Sequence, residues 1–371
     1  MSRPEGAGKF HIVPRERHDA LIAAVYRRRG FTAHEALAAA EMAGEASWHG
    51  VRTHNGIKAL HIEERCRAGG GGAVPGATVR RIPGRFAASE TWDAGRKLGQ
   101  PVAREAMETC MRLADRHGIG QVSVDNAFHY LWGGGCVLPA ARRGYIAYTT
   151  CTAGMAEVVP FGGRTATLGT NPHSWAFPTQ ETLGFPVLVD WATSVIAMGR
   201  IEQCRREGLK LPAGAAVDTE GRPTVEPGKA AALLPFGAHK GYGLGLVCEL
   251  MAGYIGGSLP TLRNRGPVAG EKHTVSLYFQ AIHPDALAGG RFALGRSQAD
   301  NVRAVLADVL GHGNEGCLFP GQIEAEAARE SKARGGLLFT TAEMGELANL
   351  AREAGMPMID PVSLDPAATA H

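Results

Sequence analysis

The 371-residue chain has no run of about 18 apolar residues, the length a membrane-spanning helix needs. Its opening stretch, MSRPEGAGKFHIVPRERHDA, lacks the apolar core of a signal peptide, so the expectation is a cytoplasmic protein that engages no membrane. A block of one charge sign is missing too: Lys+Arg 39 against Asp+Glu 36 leaves a formal net charge of +3. Without a basic arm or a strong field, nucleic acid is not an expected partner. Cys66, Cys110, Cys136, Cys151, Cys204, Cys248 and Cys317 form no CxxC pair and are expected as reduced, mostly buried thiols. No GxGxxG follows a strand-like run, and GxxxxGK[ST], GxSxG and HExxH do not occur. A standard Rossmann site, a P-loop, a serine hydrolase elbow and a zinc protease site are therefore not signalled, and no metal is called for.

What remains is a soluble globular composition, 44% hydrophobic and 20% charged, long enough for two domains or three. Glycine is the outlier at 50 residues, which points to many turns and close backbone approaches. Leu21, Ile22, Val25 and Tyr26, then Ala36, Leu37, Ala40 and Met42, recur at helical spacing on either side of Gly30. A third helix is expected from Gly56 to Arg67, with a stop and candidate linker from Gly69 to Gly72 and Pro75. Short β-branched or aromatic runs at Gln121–Val124, Tyr145–Thr150, Val187–Val189 and Thr274–Phe279 read as strands. Val102 to His117 reads as an amphipathic helix, and further helices are expected at Gly241–Gly253, Gln298–Gly311 and Thr341–Ala354, the last with Thr341 as N-cap. The mixture predicts an α/β fold. Residues 1–75 and about 325–371 are expected to form one discontinuous, largely helical domain around a strand-rich insert, 76–324.

Five segments hold residues suited to chemistry. In Thr53-His54-Asn55-Gly56-Ile57-Lys58, a helix starting near Asn55 puts His54 and Lys58 four apart, so an imidazole and a cation can meet one small anion. Asn126 to Gly135 runs from a strand into an aromatic, glycine-rich turn whose free N–H groups can hold an anion, or which is simply a turn over a buried aromatic cluster. Gly169-Thr170-Asn171-Pro172 is the third. In the fourth, Val189 to Ser194, Asp190 ends an apolar strand and needs a partner, for which histidine is the natural choice, unless it caps a helix. The fifth, Leu234 to Gly245, sets His239 and Lys240 at a helix start, a place for a phosphate or carboxylate.

In this order the segments resemble the malate/L-lactate dehydrogenase family of the non-Rossmann type. Its forms SHGVxR, NxxHFG, GTNPxxxxxP, DxATS and PxGGHKGYGLxxxxE stand here as THNGIK, NAFHYLWG, GTNPHSWAFP, DWATS and LPFGAHKGYGLGLVCE, and Pro320-Gly321-Gln322 is similar to its PGE. The resemblance implies a non-Rossmann NAD(P)-binding domain, inserted in the discontinuous helical one, and a homodimer. It implies hydride transfer from NADPH or NADH, with NADPH the first to test, to a C=O or C=N carbon beside a carboxylate. It makes His54 the proton donor, Asp190 its relay carboxylate holding the imidazole protonated, Thr53 a relay hydroxyl and His129 a second candidate. Lys58, in place of an arginine, would hold the substrate carboxylate as a point charge, with Asn55 beside it. His129, Tyr130, Leu131, Trp132, Gly133, Gly169, Thr170, Asn171, Thr193, Ser194, His239, Lys240, Pro320 and Gly321 would line the dinucleotide. The bulk of Tyr130, Leu131 and Trp132 would narrow the pocket or offer a flat face to a cyclic substrate. Three readings stay open: a 2-oxo acid reductase, a cyclic or N-substituted imine reductase, and a catalytically silent nucleotide-binding homologue.

Overall fold

The computed structural model describes residues 10–68, 71–256, 259–260, 263, 273–288 and 295–363. Parts of the N-terminal stretch, of the glycine linker (Gly69, Gly70) and of both domain ends lie outside these residues. In chain order the elements are β1 (Phe10–Val13), α1 (Arg15–Arg28), α2 (Ala33–Trp48), a 3-10 turn (Arg52–His54), α3 (Gly56–Ala68), β2 (Arg80–Ile82), β3 (Ser89–Asp93), α4 (Gly99–His117), β4 (Ile119–Ala127), α5 (Gly134–Arg142), β5 (Ile146–Cys151) and β6 (His173–Phe177). There follow α6 (Gln180–Leu183), β7 (Val187–Trp191), α7 (Met198–Glu207), β8 (Ala216–Val217), β9 (Pro223–Thr224), β10 (Ala232–Leu233), α8 (His239–Ile255), β11 (Leu259–Pro260), β12 (His273–Ile282), α9 (Asp285–Ala288), α10 (Gln298–Val309), α11 (Gln322–Arg334), β13 (Leu337–Thr340), α12 (Thr341–Ala354) and β14 (Val362–Ser363).

The fold is mixed α/β. One eight-stranded sheet runs β2-β3-β4-β12-β5-β6-β7, with β11 attached to β12. Only the β3–β4 and β11–β12 pairs in it are parallel. A doubly wound parallel sheet, and with it the Rossmann crevice, is therefore not the frame of this protein. The amphipathic face of α4 explains its place: Val102, Ala106, Met107, Cys110 and Ala114 are buried against Val122, Val124 and Phe279 of β4 and β12. A second core joins the two chain ends, with Leu21, Ile22 and Val25 of α1 packed with Leu347 and Leu350 of α12, while β1 pairs with β13 and β14.

α12 begins as expected, but its cap is Thr340, not Thr341: the Thr340 hydroxyl accepts the Glu343 N–H while Glu343 Oε2 accepts the Thr340 N–H at 2.9 Å. Thr341 already has helical position, so the capping box sits one residue earlier. All seven cysteines are unbridged; Cys110, Cys136, Cys204 and Cys248 are buried, Cys66 and Cys151 partly so, and Cys317 is exposed.

The turn from β4 to α5 has an unusual backbone. Leu131, which stands where the family form NxxHFG has its glycine, has φ +80, a left-handed conformation costly for a bulky residue. Two residues on, a methyl at Gly133 would overlap Ser174 Oγ of β6. Gly133→Ala is expected to lower stability by about 1–3 kcal/mol, through overpacking. Leu131→Gly, which relaxes the backbone, is expected to change it by under about 1 kcal/mol; chemical denaturation of both variants checks the contrast.

Candidate active site

His54 closes the 3-10 turn between α2 and α3, and helices α7 and α12 pin that turn. Arg52 donates to Glu207 of α7 at 3.0 Å and to Glu343 of α12 at 3.4 Å. Gly199, at the start of α7, packs on Thr53, whose Oγ1 lies 2.9 Å from His54 Nδ1. Asn55 is not the substrate contact the sequence suggested. Its Oδ1 accepts the Lys58 N–H at 3.1 Å and its Nδ2 donates to Glu343 at 3.4 Å, so the buried amide caps α3 and ties it to α12, a task a glycine side chain could not perform.

That cap sets Lys58 on the first turn of α3, half-buried, its ammonium forming no hydrogen bond or ion pair with any described residue. His129, two residues past the end of β4, has an Nε2 that is buried without a partner among the described residues. Burial, then Lys58, push His54 down to about 4; burial, then Lys58 and His54, push His129 to about 3. His54, His129 and Lys58 thus converge. Both imidazoles are neutral at pH 7, against the expected imidazolium, because burial disfavours the charged ring and a cation rather than a carboxylate adds to that effect.

The expected partnership of Asp190 with His54 is not formed. Asp190 Oδ1 accepts the Ser174 hydroxyl and Oδ2 the Trp132 indole N–H, each at 2.6 Å, and the Gly134 N–H adds a third bond. Burial raises the carboxyl pKa and these donors lower it. Asp190 therefore clasps β6 and β7 to the N-terminus of α5, where an anion is favourable. It also fixes Trp132, which with Tyr130 is 2% exposed and part of the sheet core. The expectation that these two rings shape the pocket is corrected: they pack inward, Tyr130 against Phe279, and only Leu131 of the three stays partly exposed.

The remaining motif residues fall into two groups. Thr170 carbonyl oxygen accepts both the N–H (2.8 Å) and hydroxyl (3.0 Å) of Thr193, and Thr193 carbonyl accepts the Phe236 N–H at 3.1 Å. This sets Thr170, Thr193 and Ser194 beside the corner that leads to His239 and Lys240, both exposed on the first turn of α8. Gly169 packs on Ala153, and Ser194 turns its hydroxyl to Ile196 carbonyl at 2.7 Å. Asn171 is wholly buried and donates to Gly245 carbonyl and to Glu249 Oε1, at 3.0 and 2.7 Å, so its side chain joins the GTNP segment to α8 rather than facing a cleft. Pro320 and Gly321 lie apart from this group, at the start of β7, where Pro320 carbonyl accepts the Leu188 N–H at 3.1 Å. Gly321 borders a cavity of about 160 Å³ shared with His49, Arg142 and Glu324.

One residue near the site escaped the sequence reading. Glu157, 7% exposed, has Lys58 as its foremost opposite charge. Its signal was a carboxylate inside the apolar run Met155–Val159, the same argument that drew attention to Asp190.

Residues 13–348 match the family described as malate/L-lactate dehydrogenase. The chain belongs to that family. It is 33% identical over 271 residues to 2,3-diketo-L-gulonate reductase of Klebsiella pneumoniae (strain 342), covering 72% of this chain and 78% of that one. It is 29% identical over 349 residues to hydroxycarboxylate dehydrogenase B of Escherichia coli O157:H7, covering 91% and 92%. The structure of Δ1-piperideine-2-carboxylate reductase from Pseudomonas syringae pvar. tomato superposes with a TM-score of 0.75 at 29% identity, over 92% of this chain and 99% of that one. As a member of the malate/L-lactate dehydrogenase family the protein is an oxidoreductase, and nicotinamide nucleotides are the family's cofactors.

An Asp190 that acts as a clasp has a distinct signature. Asp190→Asn turns an amide N–H toward Ser174 or Trp132 and is expected to lower unfolding free energy by about 2–3 kcal/mol, with a shift in Trp132 emission. A variant with unaltered melting and emission but a reduced rate would instead assign Asp190 to a relay.

Proposed function

We propose that this oxidoreductase uses NADPH or NADH to reduce a C=O or C=N carbon that bears a carboxylate, an oxo acid or an imino acid. The observation that carries this reading is a half-buried ammonium, Lys58, without an ion pair among the described residues, whose charge acts on two neutral imidazoles, His54 and His129. An anion completes such a site: it neutralises Lys58 and removes the second of the two effects, after burial, that lower the imidazole pKa values, so a ring can take up the proton it delivers. The nicotinamide, when bound, supplies the hydride. His54, oriented through Nδ1 by Thr53, then gives its proton to the substrate oxygen or nitrogen as the carbon is reduced; in reverse, its neutral form takes the hydroxyl proton. His129 faces the same group as a hydrogen-bond partner. Lys58 grips the carboxylate as a point charge where the family usually has a two-pronged arginine.

The residues present suit a dinucleotide. Lys240, exposed and without an ion pair among the described residues, stands on the first turn of the 17-residue α8 and would hold a phosphate. The partnerless Nε2 of His129 would meet the nicotinamide end. We further propose that the protein is a cytoplasmic homodimer: Leu246, Val247, Leu250 and Tyr254 of α8, and Val302, Val305 and Val309 of α10, form exposed apolar stripes that a second copy would cover. Leu250→Glu with Val305→Glu is expected to convert a dimer into a monomer by light scattering; a wild-type monomer would contradict the assembly.

His54→Ala is expected to cut turnover by at least about a hundredfold with little change in nucleotide affinity, and an unchanged rate would remove His54 from the mechanism. Nucleotide oxidation against pyruvate and oxaloacetate, and against cyclic imino acids or pyruvate with methylamine, separates the oxo and imino chemistries. Tight nucleotide binding with no turnover of either set would favour the silent homologue.

A further inference from the structure

Residues 194–199 connect the His54 turn to the corner that carries His239. At one end Gly199 packs on Thr53, the neighbour of His54; at the other Ser194 bridges Pro235, and the Val195 N–H donates to Leu234 carbonyl at 2.9 Å. From Ser194 to Gly199 the chain covers at most about 18 Å, a stretch that an extended dinucleotide can match. A methyl at Gly241 would overlap the Thr193 and Phe236 backbones, so the first turn of α8 is pressed onto that corner with His239 and Lys240 exposed. A ring that the sequence motifs did not mark stands beside it. Phe161 occupies the corner of the tight turn Pro160-Phe161-Gly162-Gly163, closed by the Gly163 N–H on Pro160 carbonyl at 2.8 Å, with Gly162 at φ +83. The Val159 N–H donates to Leu233 carbonyl at 3.0 Å, which fastens this turn to the segment that leads into α8.

Phe161 is 56% exposed, and its ring centroid lies 6.0 Å from that of His239 at an interplanar angle of 65°. Two rings held at the surface beside an exposed lysine suit a flat heterocycle that carries phosphate, because stacking and charge then act on one molecule. A nicotinamide dinucleotide has two flat ends. Its nicotinamide belongs with His54 and with His129, whose Nε2 is buried, so the purine is the end left for the surface. We propose that Phe161 is a cofactor-binding residue whose exposed face stacks on that purine, with the His239 ring at the purine's edge and Lys240 on a phosphate. This rests on the nicotinamide-nucleotide reading above.

The test is isothermal titration of the wild type, Phe161→Ala and Phe161→Trp with NADPH, NADH and adenosine diphosphate, the last of which keeps the purine and lacks the nicotinamide. Phe161→Ala is expected to weaken adenosine diphosphate and the tighter of the two dinucleotides alike, by about tenfold, and Phe161→Trp to restore both. The melting temperature and kcat at saturating dinucleotide are expected to stay at their wild-type values, since an exposed ring at the purine end touches neither the core nor the reacting carbon. An alanine variant that binds adenosine diphosphate as the wild type does, or a loss that tryptophan fails to restore, overturns the assignment. A wild type that binds adenosine diphosphate but neither dinucleotide, with the alanine loss intact, would support the Phe161 stack while removing the reductase reading. Turnover with dinucleotide affinity indifferent to Phe161 would do the reverse.

Discussion

An ammonium with no ion pair among the described residues sets the character of this protein's site. Lys58 is held half out of water on the first turn of α3, and its field, added to burial, keeps two imidazoles uncharged. Much of the fold serves to hold it there. Asn55 caps α3, Glu343 ties that cap and Arg52 to the last helix, and Arg52 reaches on to α7. A segment near residue 54 is thus positioned by side chains nearly three hundred residues away, and buried contacts of this kind give a reacting group its fixed aim.

The family motifs prove to be joints as much as contacts. Asp190 fastens two strands to a helix start, Asn171 and Glu249 lock the GTNP segment to α8, and Thr193 bridges Thr170 to Phe236. Glycine in the β4–α5 turn follows from the same packing, since Trp132 and Ser174 fill the space a side chain would take. Sequence signatures therefore mark where the site is assembled without saying which of their side chains reach substrate.

Long periodic elements were legible from the residues alone: α4, α8, α10 and α12 begin and end within a few positions of the apolar pattern. α5 was not, because three glycines and an internal proline hide a helix whose stability comes from the sheet beneath it and from Asp190 at its N-terminus. The residue set around His54 was likewise readable, since His54 and Lys58 lie four residues apart on either side of the α3 start. Their electrostatics were not. Whether an imidazole meets a carboxylate or a cation depends on which strand a distant aspartate faces, and Ser174 and Trp132 claim Asp190 through pairings that no local pattern encodes. Glu157 was missed for the opposite reason, as a single charge in an apolar run whose foremost opposite charge lies about a hundred residues earlier.

Titration of the histidine ring resonances by NMR, in the ligand-free protein and in Lys58→Met, bears most directly on this picture. The account requires His54 and His129 to titrate at about 4 and about 3 in the wild type, and both to move upward once the ammonium is gone. A His54 that titrates at or above its ordinary value of about 6.5, or that ignores the loss of Lys58, would contradict it.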